Sequence, residues 1–224
     1  MPRKWLLLLW LEGPLQSWGE KARWDMRDSA PMPTKSGIVG LLGCAMGLPR
    51  DDVRLIILAD ELTMGVRADK PGTYIEDYQT ITGEIITAEG KVRGRKSDDG
   101  TIISTRQYLQ DASFLVVLAG EEETLRQCAI NIEHPVWTVY LGRRGCVPTR
   151  PIFGELTNQY TSIEEALWHI PSPHLEKGRG LLCEVESTDG VAERRDRPVI
   201  APSRIFAARR VGNIWVNPPG LKEA

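Results

Sequence analysis

The chain has 224 residues, of which 26% are charged and 42% are hydrophobic, so it is not intrinsically disordered and suits one large domain or two small ones. The formal net charge is −2, which excludes a basic field over the whole molecule, and any site for a polyanion must be a local patch. The four cysteines form no Cys-x-x-Cys pair, which argues against a zinc ribbon or a redox motif and favours a reducing cytoplasm.

The first predicted element is a fully buried strand over Lys4–Leu11. Its apolar run is followed at once by Glu12 and by no small-x-small cleavage site, so we do not interpret it as a signal peptide. The run is also too short to span a bilayer. Several prolines in the next segment, Glu12–Pro33, predict irregular structure there.

Two tryptophans lie in this irregular segment. We assign Trp18 to the core, because an indole is a large apolar group to leave exposed. Trp24 lies between Arg23 and Arg27, and either burial or stacking on a nucleic-acid base would suit it.

A glycine-rich helix is predicted to start at Thr34 or Ser36, either of which can cap it, and to run to about Gly47. Three glycines share one face of it: Gly37, Gly40 and Gly43. Since each glycine weakens a helix by up to about 1 kcal/mol relative to alanine, this face must pack closely, and we favour the sheet over a bound ligand as its neighbour. Lys35 lies at the helix start, where free N–H groups and the helix dipole favour a phosphate.

The elements after this helix alternate between helices and strands. In chain order we predict a helix over Asp51–Glu61, a strand over Leu62–Ala68, a strand over Ala112–Ala119, a helix over residues 120–133, a strand over Trp137–Leu141, a short helix over Thr161–His169, and three short strands within residues 176–187, 190–200 and 206–216.

Between these elements, Asp77–Leu118 predicts a long hairpin that projects from the sheet, because β-branched runs flank a polar, glycine-containing centre. That centre carries a basic cluster: Lys91, Arg93, Arg95 and Lys96. The cluster either contacts an anionic partner or is a solvated loop, and this stretch alone supports both interpretations equally.

The order of elements favours an α+β fold. It predicts a split β-α-β, ferredoxin-like (RRM-like) core with a long hairpin insertion and a β-rich C-terminal part. We place the core within residues 1–150 and the C-terminal part, packed on that core, within residues 151–224.

No catalytic site, metal site or cofactor is predicted. The three histidines, His134, His169 and His174, are not spaced as a metal pair, and none lies within a few residues of a basic cluster. A metal-independent ribonuclease most often uses a histidine base, because the histidine pKa lies near the working pH. Known catalytic motifs are also missing. An active site assembled from distant parts of the chain is still an alternative.

Five stretches together resemble a known family: GPLQSWG (13–19), PTKSGIVGLLGCAMGL (33–48), DYQTITG (77–83), RQYLQDASFLVVL (106–118) and YLGRRGC (140–146). In order and spacing they are similar to the CasD-type subunits of the type I-E CRISPR Cascade, in the RAMP superfamily of CRISPR RNA-binding proteins. The resemblance is looser after about residue 150.

The resemblance implies an RRM-like fold with an arched hairpin, the thumb, which maps to about residues 78–106. It implies a non-catalytic subunit that caps the 5′ handle of the CRISPR RNA (crRNA) and kinks that RNA. The implied partners are a Cascade backbone subunit and the large subunit; target DNA is reached only through the complex, and no membrane is involved. A related branch in type I-C systems cuts crRNA precursors, so an endoribonuclease that processes repeat RNA is the alternative, and a protein-only scaffold is a third.

With the resemblance, RNA contacts are expected from Arg23, Trp24 and Arg27 before the glycine-rich helix, from Lys35 and Ser36 at its start, from Arg106 and Tyr108 at the thumb base, and from Arg143 and Arg144 in the following loop. Other interpretations are an ion pair of Arg106 with Asp111 and a solvated turn for Arg143 and Arg144. The arginines between residues 194 and 210 would serve either RNA or a partner subunit.

Overall fold

The computed structural model describes residues 4–21, 25–82, 85–86, 92–93, 101–175, 179–200 and 205–220. Its strands are β1 (Trp5–Gln16), β2 (Met26–Arg27), β3 (Thr63–Lys70), β4 (Thr73–Thr82), β5 (Ile85–Ile86), β6 (Val92–Arg93), β7 (Thr101–Gly120), β8 (Phe153–Thr157), β9 (Leu181–Glu186), β10 (Ala192–Ile200) and β11 (Ile205–Val216). Its helices are α1 (Lys35–Ala45), α2 (Arg54–Glu61), α3 (Glu122–Glu133) and α4 (Ile163–His169). Within the described ranges, no helix is long and apolar enough to cross a membrane.

Four strands form one end of the main sheet in the order β3-β7-β1-β8, and each neighbouring pair is antiparallel. The leucines of β1 alternate between the faces of the sheet. Leu7 and Leu9 belong to one hydrophobic cluster, and Leu6 and Leu8 belong to the other. A strand that is buried on both faces needs apolar residues at successive positions, and the prediction of a buried first strand is confirmed.

The helices cover both faces of this sheet. α1 and α3 pack on one face, where α3 buries Leu125 and Cys128 in the larger cluster. α4 packs on the other face through Ile163 and Leu167. The four predicted helices are confirmed, although α2, α3 and α4 begin two or three residues later than the sequence indicates.

The three predicted C-terminal strands are also confirmed, and they extend the same sheet. β9 pairs with β3, β11 with β9 and β10 with β11, each time antiparallel. Because β8 returns to β1 while β9 continues the sheet beyond β3, the sheet has no break at residue 150. The division into two parts at that residue is therefore not visible as a gap in strand pairing.

A buried network of charges ties these C-terminal strands to the rest of the chain. The Asp196 carboxylate accepts hydrogen bonds from Arg209 at 2.7 and 2.9 Å and from the backbone N–H of Lys35 at 2.8 Å. Glu184 accepts from Arg194 at 2.8 Å and from Arg209 at 3.2 Å. Buried charges require such partners, so Arg194 and Arg209 are structural residues in this chain.

The flanks of the predicted hairpin pair as antiparallel strands. β4 follows the first half of β7 from Thr73↔Gln110 to Thr82↔Thr101. The second half of β7 lies between β1 and β3. Asp111 stands between the two halves with φ of 55°, a left-handed conformation that aspartate tolerates better than most residues.

The basic tip of the hairpin can be compared with the prediction only in part. β5 and β6 form a short antiparallel pair, and Arg93 belongs to β6. Lys91, Arg95 and Lys96 lie outside the described residues.

The predicted strand over Trp137–Leu141 is wrong. The backbone around it bonds outside a strand ladder: Val136 N–H donates to Ala45 O at the end of α1 at 2.8 Å, and Leu141 O accepts from Ser17 N–H, just after β1, at 3.0 Å. The strand that completes the sheet after α3 is instead β8, further along the chain.

The irregular segment predicted from Glu12 onward begins later than expected. β1 continues past Pro14 to Gln16. Because β8 pairs only with the Leu6–Leu9 part of β1, Pro14 lies where β1 has no second neighbouring strand. A missing N–H is tolerated at such a place.

Candidate functional site

Four of the predicted RNA contacts meet where the hairpin joins the sheet. Arg143 reaches from the Tyr140–Cys146 loop over the ring of Tyr108, at 4.5 Å from its guanidinium carbon to the ring centre. β2 pairs in parallel with β7, and Arg27 is the register partner of Arg106. We call Arg27, Arg106, Tyr108 and Arg143 the hairpin-base cluster.

Arg143 holds this cluster together through the backbone. Its Nη1 donates to Gln107 O at 2.9 Å, and its Nη2 donates to Arg27 O at 2.9 Å and to Asp28 O at 3.4 Å. Carbonyl oxygens of β7 and of the β2 segment are therefore joined by one guanidinium. A solvated turn does not describe Arg143, because its side chain is engaged on several sides.

Tyr108 is not available as a stacking platform. Only 8% of its surface is exposed, and Arg143 covers its ring. The predicted RNA contact of Tyr108 therefore cannot be base stacking on this face, because the guanidinium occupies it. Tyr108 instead packs in the larger hydrophobic cluster.

Arg106 and Arg27 remain the cations of the cluster without a carboxylate partner among the described residues. The alternative ion pair of Arg106 with Asp111 is not formed, because both residues lie on the extended strand β7, five positions apart. The Nε atom of Arg106 is buried and has no hydrogen-bond partner among the described residues. The same holds for one nitrogen each of Arg194 and Arg197, so this atom does not by itself mark a phosphate site, although a guanidinium binds phosphate oxygens well.

Lys35 has a structural role that differs from the predicted one. Its side chain donates to both carboxylate oxygens of Glu186 at 2.8 Å, and the residue is 3% exposed. Its backbone N–H is taken by Asp196. The N-terminus of α1 is thus already neutralised by carboxylates from β9 and β10, and a phosphate contact by Lys35 is not supported. Burial lowers the pKa of Lys35, and the bond to Glu186 opposes that shift.

Thr34 caps α1, as one of the two predicted alternatives. Its Oγ1 accepts from Gly37 N–H at 3.2 Å. Ser36, the other alternative, is half-buried and lies beside a groove that runs along α1. Ser36 therefore keeps a side chain near open space, whereas Lys35 does not.

We call this feature the α1 groove. Its two stretches share six lining residues: Ser36, Gly37, Gly40, Arg50, Leu55 and Gly142. Arg144 lines the larger stretch and is exposed. Within the Tyr140–Cys146 loop, Arg143 thus lies in the hairpin-base cluster, whereas Arg144 lines the α1 groove.

Gly142 makes this division possible. It has φ of 92°, and a β-carbon built there would lie 1.7 Å from the carbonyl oxygen of Ser17. A side chain is excluded on both grounds. The Gly-Arg-Arg-Gly pattern marks this loop in the sequence. Tertiary contacts, however, determine that Arg143 lies in the hairpin-base cluster and Arg144 in the α1 groove.

Only some of the remaining predicted site residues are described by the structure. Arg23 and Trp24 lie outside the described residues. Arg50, which precedes α2, was not predicted; it is a single basic residue with no local pattern to mark it. Arg197 is 3.4 Å from Asp60, so the cluster between residues 194 and 210 contributes at least three structural ion pairs.

Two of the three histidines are engaged away from these two features. His169 Nδ1 lies 2.9 Å from Glu165 O, and His174 Nε2 lies 3.4 Å from a Glu12 carboxylate oxygen. Among the described residues, no group of three or more His, Cys, Asp or Glu side chains could hold a metal ion.

Comparison with known proteins gives consistent results. A family model described as CRISPR-associated protein (Cas_Cas5) matches residues 6–216. The CRISPR system Cascade subunit CasD of Escherichia coli (strain K12) is 34% identical over 218 residues, which cover 91% of this chain and 92% of that protein.

Two solved structures are similar over nearly the whole chain. A chain of a CRISPR RNA-guided surveillance complex superposes with a TM-score of 0.77 at 31% identity, covering 96% of this chain and 91% of its own. A crystal structure of a Cas protein gives a TM-score of 0.72 at 33% identity, covering 97% of this chain and 100% of its own. The resemblance carried by the sequence motifs is confirmed, and the chain belongs to the CRISPR-associated protein (Cas_Cas5) family.

Proposed function

We propose that this chain is a non-catalytic crRNA-binding subunit of a type I-E CRISPR surveillance complex, in which it caps the 5′ handle of the crRNA. The observation that carries this proposal is the 34% identity, over nearly the full length of both proteins, to a Cascade subunit named CasD. The similarity to a chain of an RNA-guided surveillance complex supports the same role.

The fold suits such a role. The order β8-β1-β7-β3, with all pairs antiparallel and helices between β1 and β3 and between β7 and β8, supports the proposal of a ferredoxin-like core. The β4–β7 hairpin is an insertion between two core strands, and we assign it the role of the thumb that kinks the RNA.

Arg27 and Arg106 are the proposed phosphate contacts of the hairpin base. They are neighbours on paired strands, and neither forms an ion pair among the described residues. Two adjacent guanidinium groups favour a polyanion, and Asp77, the register partner of Arg106, offsets only part of their charge. Arg143 and Tyr108 position the backbone beneath them. Arg144 and Ser36 are proposed to contact RNA from the α1 groove, while contacts by Arg23 and Trp24 remain predictions.

The proposed partners are the crRNA, a Cascade backbone subunit and the large subunit, with target DNA reached only through the complex. The site of action is proposed to be the cytoplasm, where the four free cysteines would remain reduced. In this complex a near-neutral subunit is acceptable, because much of its surface would face protein.

Photocrosslinking of the crRNA within the purified complex tests the proposal. We expect handle nucleotides to crosslink to this chain, and Arg27→Ala with Arg106→Ala to reduce that crosslinking. If no handle nucleotide crosslinks to this chain, the proposed role is wrong.

The alternative, an endoribonuclease, is tested separately. The pure chain is incubated with repeat RNA in EDTA, and the products are separated on a denaturing gel. We expect no specific cleavage. Cleavage at one position that is lost on substitution of a tyrosine or lysine would establish the enzyme instead.

A further inference from the structure

The α1 groove is large enough for a ligand of nucleotide size. Its two stretches have cavity volumes of about 730 and 290 Å³, and small-molecule sites usually measure about 300–1,000 Å³. The floor is the backbone of α1, and one wall is the loop that follows α3, with Trp137 and Tyr140. The opposite wall is formed by Arg50 and Leu55.

The charge of the lining favours an anion. Arg50 and Arg144 line the groove, and both are exposed. Among the described residues, no carboxylate lines either stretch. An apolar peptide segment would leave both guanidinium groups without a counter-charge, whereas a phosphate backbone would supply one.

The aromatic residues of the lining favour a base. Trp137 and Tyr140 line the larger stretch, and Trp137 is 47% exposed. Phe206, which is also exposed, lines the smaller one. Single-stranded RNA is held by this combination, in which unstacked bases lie on aromatic faces while arginines contact phosphates.

The glycines of α1 show which part of the floor is open. A β-carbon on Gly37 would lie 2.8 Å from Cε3 of Trp18, and one on Gly43 would lie 2.3 Å from Cδ2 of Leu55. Packing within the chain therefore explains these two glycines. A β-carbon on Gly40 would meet nothing within 4 Å, although glycine is a poor residue for a helix interior.

We propose that the α1 groove holds one unstacked nucleotide of the crRNA, with its base over the backbone at Gly40 and its flanking phosphates against Arg50 and Arg144. This inference rests on the proposed crRNA-binding function and gives that function a second contact region besides the hairpin-base cluster. Gly40 then keeps the floor low enough for a planar base to lie on it.

Steric filling of the groove provides the test. Gly40→Leu places a side chain in the open space, and Gly40→Ala fills less of it. Gly212→Leu in β11 is the matched control, because a β-carbon there also meets nothing within 4 Å and the residue lines neither stretch of the groove. Thermal unfolding of each free chain establishes that all three variants fold.

The complex is assembled with a crRNA that carries 4-thiouridine at one handle position at a time, and crosslinked peptides are mapped by mass spectrometry. We expect one position to crosslink within residues 36–44 or 137–144. Gly40→Leu should lower that yield about tenfold, Gly40→Ala should lower it less, and Gly212→Leu should leave it unchanged.

The outcomes separate this inference from the proposed function. Crosslinks to the hairpin base with none in the groove, or an unchanged yield in Gly40→Leu, would overturn the inference alone. A protein–protein crosslink from a partner subunit into the groove peptides would overturn it in favour of a docking role. Absence of any crosslink to this chain would overturn the proposed function as well.

Discussion

The guanidinium of Arg143 covers the ring of Tyr108 at 4.5 Å and bonds three backbone carbonyls at the same time. One side chain thus joins the Tyr140–Cys146 loop to β7 and to the β2 segment. Its neighbour Arg144 is exposed on the α1 groove. The two adjacent arginines of this motif therefore differ: Arg143 supports the packing of the chain, whereas Arg144 is exposed and is proposed to contact RNA.

Arg143→Ala is expected to destabilise the chain by about 2–3 kcal/mol, because it removes a cation–π contact and several charge-assisted hydrogen bonds. Urea unfolding measures this change. Arg144→Ala is the control and should alter stability by less than about 0.5 kcal/mol.

Arg144→Ala should instead weaken binding of RNA and reduce the salt slope of log K by about one. Binding of a handle oligonucleotide at several salt concentrations measures the slope. Equal losses of stability in the two variants would show that the division of roles is wrong.

Asp196→Ala is expected to destabilise the chain by about 3–5 kcal/mol, since it leaves the buried Arg209 without its closest partner and frees the N–H of Lys35. Glu122→Ala breaks an exposed i,i+4 pair with Arg126 and should cost only about 0.5 kcal/mol. Denaturant titration compares the two. A small effect of Asp196→Ala would mean that the C-terminal strands do not depend on this carboxylate.

Gly37→Ala and Gly40→Ala should have opposite effects on stability. The methyl group at position 37 meets the indole of Trp18, so we expect a loss of about 1–3 kcal/mol from overpacking. At position 40 the methyl group is free, and better helix propensity should add up to about 1 kcal/mol. Thermal melts of the two variants decide this, and a loss in both would contradict an open floor at Gly40.

The thiols are expected to react in order of their exposure. Cys128 and Cys183 are buried, and burial raises the pKa of each to about 12. Burial also raises the pKa of Cys44, and the charge of Arg144 partly opposes that shift. At pH values below its pKa, a thiol is mostly protonated, and its thiolate fraction rises about tenfold per pH unit. Because the thiolate is the reactive form, the alkylation rate of Cys44 should rise about tenfold per pH unit below its raised pKa.

Iodoacetamide labelling of the native chain at pH 8, read by peptide mapping, should therefore modify Cys44 first. Cys44→Ser is the control and should remove the earliest adduct. Because Cys44 lines the α1 groove, bound RNA should slow its labelling if a nucleotide lies there. Early modification of Cys128 would show that the core opens more readily than the packing indicates.

The hairpin can be shortened without touching its paired flanks. Replacing residues 83–100 by Asn-Gly would join Thr82 to Thr101, which are register partners, through a two-residue turn that suits a hairpin. We expect an unchanged unfolding midpoint but weaker retention of crRNA on size-exclusion chromatography of the complex. Normal assembly and retention would show that the outer part of the hairpin is dispensable.

Much of the fold follows from local signals. The apolar run Trp5–Leu11 predicts a central strand because burial on both faces requires it. The helix start is predicted by two possible caps, Thr34 and Ser36, of which Thr34 is the one used. The predicted strand at Trp137–Leu141 is wrong although its residues suit a strand, because its backbone hydrogen bonds are made outside a strand ladder. No local pattern reveals such a competition.

The candidate site was predicted less well, for a related reason. Lys35 has the residue type and place for a phosphate contact, yet Glu186 and Asp196, which are remote in sequence, neutralise it. Tyr108 and Arg143 were both assigned to RNA, whereas they contact each other. A sequence marks which residues can bind an anion, and the tertiary structure decides which of them are still free to do so.

β7 belongs to two parts of the molecule at once. Its first half is an arm of the hairpin, and its second half is hydrogen-bonded between β1 and β3 in the middle of the sheet. Under the proposed function, tension from the RNA on the hairpin would therefore act along a strand anchored by ladders on both sides, rather than on a surface loop. Asp111, with its left-handed backbone between the halves, is the point at which the arm can change direction while its anchor stays fixed.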